Sequence, residues 1–182
     1  GQAYRQGMPV LQDNEAAFSW FKKVWEGGEE PIAQAAYELG EQYLKGEGVE
    51  KDEDKALDFF SRAAELKNPA AQYQLGAFAY GENPPRYEDA FAWFSNAATQ
   101  GYAPAQYMTG FMLLQGQGTA KSMPLALRFF EQAAEQNDVS AQYVLGQIYT
   151  KGLGVKKNLQ KGRQWLERAA ENGSEAAQLL LN

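Results

Sequence analysis

The side chains that carry most enzymatic chemistry are missing from this sequence. Its 182 residues include no histidine and no cysteine. That removes the commonest general base, the commonest metal ligand and the thiolate nucleophile. Serine–histidine and cysteine–histidine catalysis are excluded, as are a disulfide framework and a thiolate metal site. What remains is carboxylate chemistry. Asp52-Glu53-Asp54, Glu88-Asp89 and Glu29-Glu30 are close enough in sequence to consider as proton-transfer pairs or hard-cation ligands. Each cluster also reads as the acidic first turn of a helix, where the helix dipole favours negative charge, and this reading is preferred. Gly46-Glu47-Gly48 and Gly152-Leu153-Gly154 have the composition of phosphate-cradling loops. A nucleotide loop follows a strand, and no strand is predicted before either, so both are read as helix ends. No catalytic, cofactor-binding or metal-binding residue is expected, and no cofactor.

The elements that would position any site are repeats. Leu39-Gly40, Leu75-Gly76, Thr109-Gly110 and Leu145-Gly146 recur at intervals of 36, 34 and 36 residues. The pairs Ala63-Ala64, Ala97-Ala98, Ala133-Ala134 and Ala169-Ala170 keep the same register, each behind Phe59-Phe60, Trp93-Phe94, Phe129-Phe130 or Trp165-Leu166. Ala-Gln-Tyr opens three units, at Ala71, Ala105 and Ala141. Each unit reads as two helices. The first, from about Ala35 to Lys45 in the first full unit, ends at a glycine suited to a left-handed C-terminus. The second starts at Asp52, Ser122 or Asn158, residues whose side chains cap exposed backbone N–H groups. Its apolar stripe, Ala56, Phe59, Phe60, Ala63 and Ala64, has the spacing of one buried helix face.

Glycine inside a helix costs about 1 kcal/mol against alanine. Gly40, Gly76, Gly110 and Gly146 repeat that cost at one phase, which predicts close approach of a neighbouring helix. One hairpin cannot bury both of its faces, whereas stacked hairpins can. The expected fold is all-α, a right-handed α/α superhelical solenoid. We read 1–182 as a single repeat domain: a partial unit at 13–32, full units at 33–69, 70–103, 104–139 and 140–174, and the start of a further helix at 175–182. Leu179, Leu180 and Leu181 would be poorly covered if nothing followed, which leads us to expect that the natural chain continues.

Lys and Arg number 17 against 23 Asp and Glu, a net charge of −6. That balance argues against broad nucleic-acid binding, which needs a positive surface. Residues 1–91 hold 9 basic and 17 acidic side chains, and residues 92–182 hold 8 and 6, so the two halves should differ in potential. No run approaches the roughly 18–20 apolar residues that span a bilayer, so no membrane span is expected.

The stretch from Ala35-Ala36-Tyr37-Glu38-Leu39-Gly40 through Tyr43, Gly46-Glu47-Gly48-Val49, Asp52 and Lys55-Ala56 resembles the Sel-one-like repeat family, relatives of the tetratricopeptide repeats. The unit at Ala141 follows the same pattern with Asn158 at the capping place and Gly162 where alanine is usual. The unit at Ala71 departs: its loop, Gly81 to Arg86, is two residues shorter and lacks the paired glycines. The resemblance implies a non-enzymatic adaptor that binds another protein. Such adaptors act in bacterial envelope, secretion or signalling assemblies or in eukaryotic quality control, with the periplasm or cell envelope the compartment favoured here. An alternative of another class is an inhibitor or immunity-type protein that sequesters one enzyme or toxin.

First helices are expected to line the concave face, so positions there that stacking leaves free are the candidate contacts for a peptide or partner helix. They are Glu38, Glu41 and Lys45 in the first full unit, Gln74, Ala77 and Tyr80 in the second, Met108, Phe111 and Leu114 in the third, and Val144 and Gln147 in the fourth. This predicts a groove with an apolar centre and an acidic N-terminal edge, with Met108 and Phe111 as anchors. Gln42, Phe78, Met112 and Ile148, one slot on, are read as core. A basic group, Lys151, Lys156, Lys157 and Lys161, offers contact to an acidic partner or an anionic headgroup; Arg163 belongs to the same group.

Overall fold

The computed structural model describes residues 14–27 and 32–181; Glu29-Glu30 lies outside them. Among the described residues there are ten helices and no strand. They are α1 (Asn14–Gly27), α2 (Ala33–Lys45), α3 (Glu53–Glu65), α4 (Pro69–Gly81), α5 (Tyr87–Thr99), α6 (Ala103–Gln115), α7 (Met123–Glu135), α8 (Val139–Lys151), α9 (Leu159–Glu171) and α10 (Glu175–Leu181). The all-helical hairpin architecture is as the periodicity predicts. The chain forms two compact units, residues 1–75 and 76–182, whose boundary falls within α4.

Three of the four full hairpins close in one way, and the shorter loop after Gly81 lacks the left-handed glycine, as its sequence predicts. Gly46, Gly116 and Gly152 end their helices with φ of 71°, 74° and 72°, each donating its N–H to a carbonyl of the preceding turn, on Gln42, Met112 and Ile148. The residue before each second helix then donates its N–H back to the first: Asp52 to Tyr43, Arg86 to Ala79, Ser122 to Leu113 and Asn158 to Tyr149, at 2.8–3.0 Å. Asp52 and Asn158 cap as expected, accepting from the N–H of Lys55 and Lys161. Ser122 takes the same extended backbone, but its side chain makes no capping bond. Pro124 in that first turn has already removed one of the donors a cap would satisfy.

The repeated glycine seats a side chain of its own hairpin. A Cβ on Gly40 would lie 2.7 Å from the Phe60 ring, on Gly76 2.8 Å from Phe94, on Gly110 2.9 Å from Phe130 and on Gly146 2.6 Å from Leu166. The close neighbour is mainly an aromatic ring, where the sequence suggests only a neighbouring helix. Phe60, Phe94 and Phe130 are fully buried as a result. The last hairpin is tighter. There Gly162 lies opposite Gly146, and a Cβ on it would stand 2.8 Å from the Thr150 backbone nitrogen.

In unit 1, Ala17 and Phe21 of α1 pack on Ala35 and Leu39 of α2, flanked by Phe18, Val24, Trp25 and Phe59. Tyr43 and Phe59 stack at 5.6 Å with their planes 12° apart. In unit 2 the main core joins Leu113, Phe130, Leu145 and Trp165 through the small Ala126, Ala133, Ala134 and Ala141. The alanine pairs are fully or almost fully buried in all four hairpins except at Ala170, which is half-buried. Glutamines of the Ala-Gln-Tyr motif stitch one hairpin to the next. Gln106 and Gln142 donate side-chain N–H to the carbonyls of Ala98 and Ala134, and their own amide oxygens accept from Gln136 and Asn172.

The turns that leave second helices place one residue in the left-handed region: Lys67 at φ 64°, Gly101 at 87°, Asn137 at 65° and Gly173 at 97°. Lysine carries a Cβ penalty there that glycine does not. Lys67→Gly should therefore raise stability by up to about 1 kcal/mol, measured by urea denaturation. Gly118→Ala should lower it, because φ is 65° there and the added Cβ would run into the Tyr87 carbonyl.

Candidate binding face

The candidate residues fall on two surfaces of different character, one in each unit. In unit 1, α2 carries Glu38, Glu41 and Lys45 along one side. Both carboxylates are enclosed, Glu38 at 5% and Glu41 at 7% exposure. Glu38 accepts from the Gln34 amide at 2.9 Å, and Gln34 in turn accepts from Asn68 at 3.3 Å. Glu41 accepts from the Gln74 amide at 2.6 Å and pairs with Lys45. The structure thus brings Glu38, Glu41, Gln74 and Lys45 together as a polar network joining α2 to α4. Only Lys45 stands exposed. Gln42, read as core, is buried, and its amide oxygen has no protein partner.

In unit 2, Ala77, Tyr80, Met108, Phe111, Leu114, Val144 and Gln147 are all half-buried. Tyr80 donates its hydroxyl to Gln117 at 3.2 Å and meets the Tyr87 ring edge-on at 5.4 Å. Phe111 lies 6.5 Å from the Tyr107 ring, and with Leu114 and Val144 it packs against the main core. Gln147 donates to the Tyr143 hydroxyl at 2.8 Å. These side chains serve packing on one side and meet solvent on the other. Met112 and Ile148 are buried as read, while Phe78 is half-buried. Tyr107 and Tyr143 belong with this surface too. Their recurrence in Ala-Gln-Tyr marks them as repeat structure, and that pattern hides their half-exposed rings.

Charge separates the faces of unit 2. The first helices α6 and α8 carry a single charged side chain between them, Lys151. The second helices α7 and α9 carry eight: Arg128, Glu131, Glu135, Lys161, Arg163, Glu167, Arg168 and Glu171. A side chain that loses water on partner binding costs least when it is uncharged, and the first-helix side of unit 2 carries the fewest charges. Among the described residues no three His, Cys, Asp or Glu side chains gather as a metal site. Asp52-Glu53-Asp54 is spent locally: Asp52 caps α3 and pairs with Lys55, and Glu53 pairs with Lys51. The Lys55 N–H and ammonium beside Asp52 hold its carboxyl below the usual aspartate range.

The basic group divides. Lys161 donates to the Tyr149 hydroxyl at 2.7 Å and to Glu131 at 3.0 Å. The Tyr149 hydroxyl, then Glu131, hold its ammonium above the usual lysine value against partial burial. Lys151, Lys156 and Lys157 are exposed.

A family model described as Sel1 repeat matches residues 1–23, 33–68, 69–102, 103–138 and 139–174. The solved structure of a Sel1 repeat protein from Oxalobacter formigenes is 30% identical, with a TM-score of 0.86 over 97% of this chain and 71% of that one. Immunity protein Pa5087 from Pseudomonas aeruginosa is 27% identical, with a TM-score of 0.62 over 96% of this chain and 66% of that one. Chitin synthase regulatory factor 3 of Schizosaccharomyces pombe is 36% identical over 93 residues, which is 48% of this chain and 10% of that protein. The chain therefore spans about a tenth of that curated relative's length.

The network in unit 1 is testable. Gln74→Met removes the neutral donor from a carboxylate that is nearly dry, and should cost about 1–3 kcal/mol in urea denaturation. An unchanged midpoint would mean that water takes the place of the amide.

Proposed function

The chain belongs to the Sel1 repeat family, whose members are generally protein-interaction scaffolds, and from that premise we propose that it is a non-enzymatic adaptor. It takes a peptide or partner helix on the first-helix face of unit 2. The observation that carries this reading is the near-absence of charge on α6 and α8 beside eight charged side chains on α7 and α9. Met108 and Phe111 are the anchors, with Ala77, Tyr80, Leu114, Val144 and Gln147 around them. Phe111 doubles as support for the core, so its contribution to binding is tied to stability. In unit 1, Lys45 is the exposed polar group and Gln74 is half-buried on Glu41, while Glu38 and Glu41 hold α4 in place. The assembly served is a bacterial envelope, secretion or signalling complex, a setting consistent with the likeness to bacterial Sel1 proteins.

The likeness to immunity protein Pa5087 favours a second reading, in which the chain sequesters one enzyme or toxin. Such an inhibitor would bind through loops and charged second helices, so the two readings differ in which face is covered.

Site-specific photo-crosslinking in the source cell separates them. A crosslinking residue at position 108, 144 or 147 should trap one and the same partner, and one at Arg128 or Gln164 should trap none. Met108→Glu should weaken that partner's binding at least tenfold, a loss of about 1.4 kcal/mol, with the melting temperature unchanged. Crosslinks confined to 128 and 164 would replace the adaptor reading with the inhibitor reading.

A further inference from the structure

The repeats supply an internal control for what the fold itself needs. The loop after α2 runs Lys45-Gly46-Glu47-Gly48-Val49-Glu50-Lys51-Asp52-Glu53, and the loop after α8 runs Lys151-Gly152-Leu153-Gly154-Val155-Lys156-Lys157-Asn158-Leu159. Both begin at a left-handed glycine, at φ 71° and 72°, and both end at a cap that accepts from the N–H three residues on. The fold is therefore satisfied by either set of side chains. At the positions that differ, Glu47, Glu50, Asp52 and Glu53 are replaced by Leu153, Lys156, Asn158 and Leu159, which turns an acidic loop into a basic one.

Leu153 is 49% exposed and Leu159 61% exposed. Val155 alone in the loop reaches the core of unit 2. Lys151, Lys156 and Lys157 are all exposed. Lys157 comes back against the start of the loop, its Cβ 3.1 Å from where a Cβ on Gly152 would lie. Lys151 has a local use, since it lies in the last turn of α8 and answers the helix dipole. Lys157 repeats Lys51 and Lys121, which pack on Gly46 and Gly116 in the same way, but neither the dipole, core packing nor the repeat accounts for Lys156, Leu153 or Leu159. Exposed leucines between lysines need an occupant that offers negative charge and an apolar layer together over a broad area. An acidic protein segment offers the charge but needs a cleft to cover protruding leucines. The surface of a bilayer containing anionic lipid offers both: headgroups for the ammonium groups and an acyl boundary for the leucines.

We propose that the α8–α9 loop docks this protein onto anionic membrane surfaces, with Lys151, Lys156 and Lys157 on the headgroups and Leu153 and Leu159 inserted beneath them. No described helix is long and apolar enough to cross a membrane, and the contact is peripheral and reversible. It leaves α6 and the Met108 surface to a protein partner, so it stands whether or not that face binds.

The test is vesicle co-sedimentation of the purified chain. Binding is expected with vesicles of phosphatidylcholine and phosphatidylglycerol, not with phosphatidylcholine alone, and should weaken as salt is raised. K151Q/K156Q/K157Q should lower the partition coefficient by about two orders of magnitude, about fivefold for each lysine near an anionic surface. L153S/L159S should lower it severalfold while preserving its salt dependence. K22Q/K23Q, at exposed lysines of unit 1, should change nothing. Circular dichroism reports whether each variant keeps its helices, and K156Q/K157Q, which leaves the α8 terminus intact, serves if the triple variant does not. No binding to the anionic vesicles overturns the proposal, as does binding that survives loss of the lysines or is indifferent to the leucines. Polyglutamate bound at this loop without vesicle binding would assign it to an acidic protein instead.

Discussion

One steric constraint recurs in every hairpin: a glycine in the first helix facing a large side chain of the second. The interior glycine is unfavourable for the helix itself by about 1 kcal/mol. Its return is the seat for Phe60, Phe94, Phe130 or Leu166, none of which would fit above a Cβ. Once that side chain is seated, the distance between the two helices is set. The short loop then follows, because the N–H of the residue before the second helix reaches back to a fixed carbonyl on the first. The buried alanine pairs extend the same logic outward, letting the next hairpin come close. Stability in such an array is shared between each hairpin and its neighbours.

That constraint also decides which side chains are free. Met108 and Val144, two residues before the glycine, and Phe111 and Gln147, one after it, point away from the ring and end half-buried. A surface made this way is rigid beneath and variable above. Phe111, Leu114 and Val144 still lean on the core, whereas in the loops the glycines recur while the side chains between them vary. The contrast between the loops after α2 and α8 shows how far the charge of such a loop can swing on one backbone.

Much of this was legible in the sequence because repetition separates requirement from freedom. A glycine or alanine that returns at one phase four times reports packing, and the helix ends at Gly46, Gly116 and Gly152 follow from composition alone. Burial of charge was less legible. Glu38 and Glu41 occupy slots that periodicity assigns to a free face, yet Gln34 and Gln74 close over them. Those donors come from four residues away on one helix and from 33 residues away on another, so no local pattern announces them. The same is true of Lys161, which reads as one of a basic group and proves tied to Tyr149 and Glu131. Nor does Ser122 cap α7, since a suitable residue type at the right place does not guarantee the bond.

The role given to the glycine is measured most directly by a double-mutant cycle on Gly110 and Phe130. In the native background Gly110→Ala should destabilise, because the added methyl meets the ring at 2.9 Å and the Ala126 carbonyl oxygen at 3.1 Å. In a Phe130→Ala background the ring is gone, and the same change should cost much less, giving a coupling of about 1–3 kcal/mol. Equal effects in the two backgrounds would show that the glycine and the ring act independently, and would contradict the account.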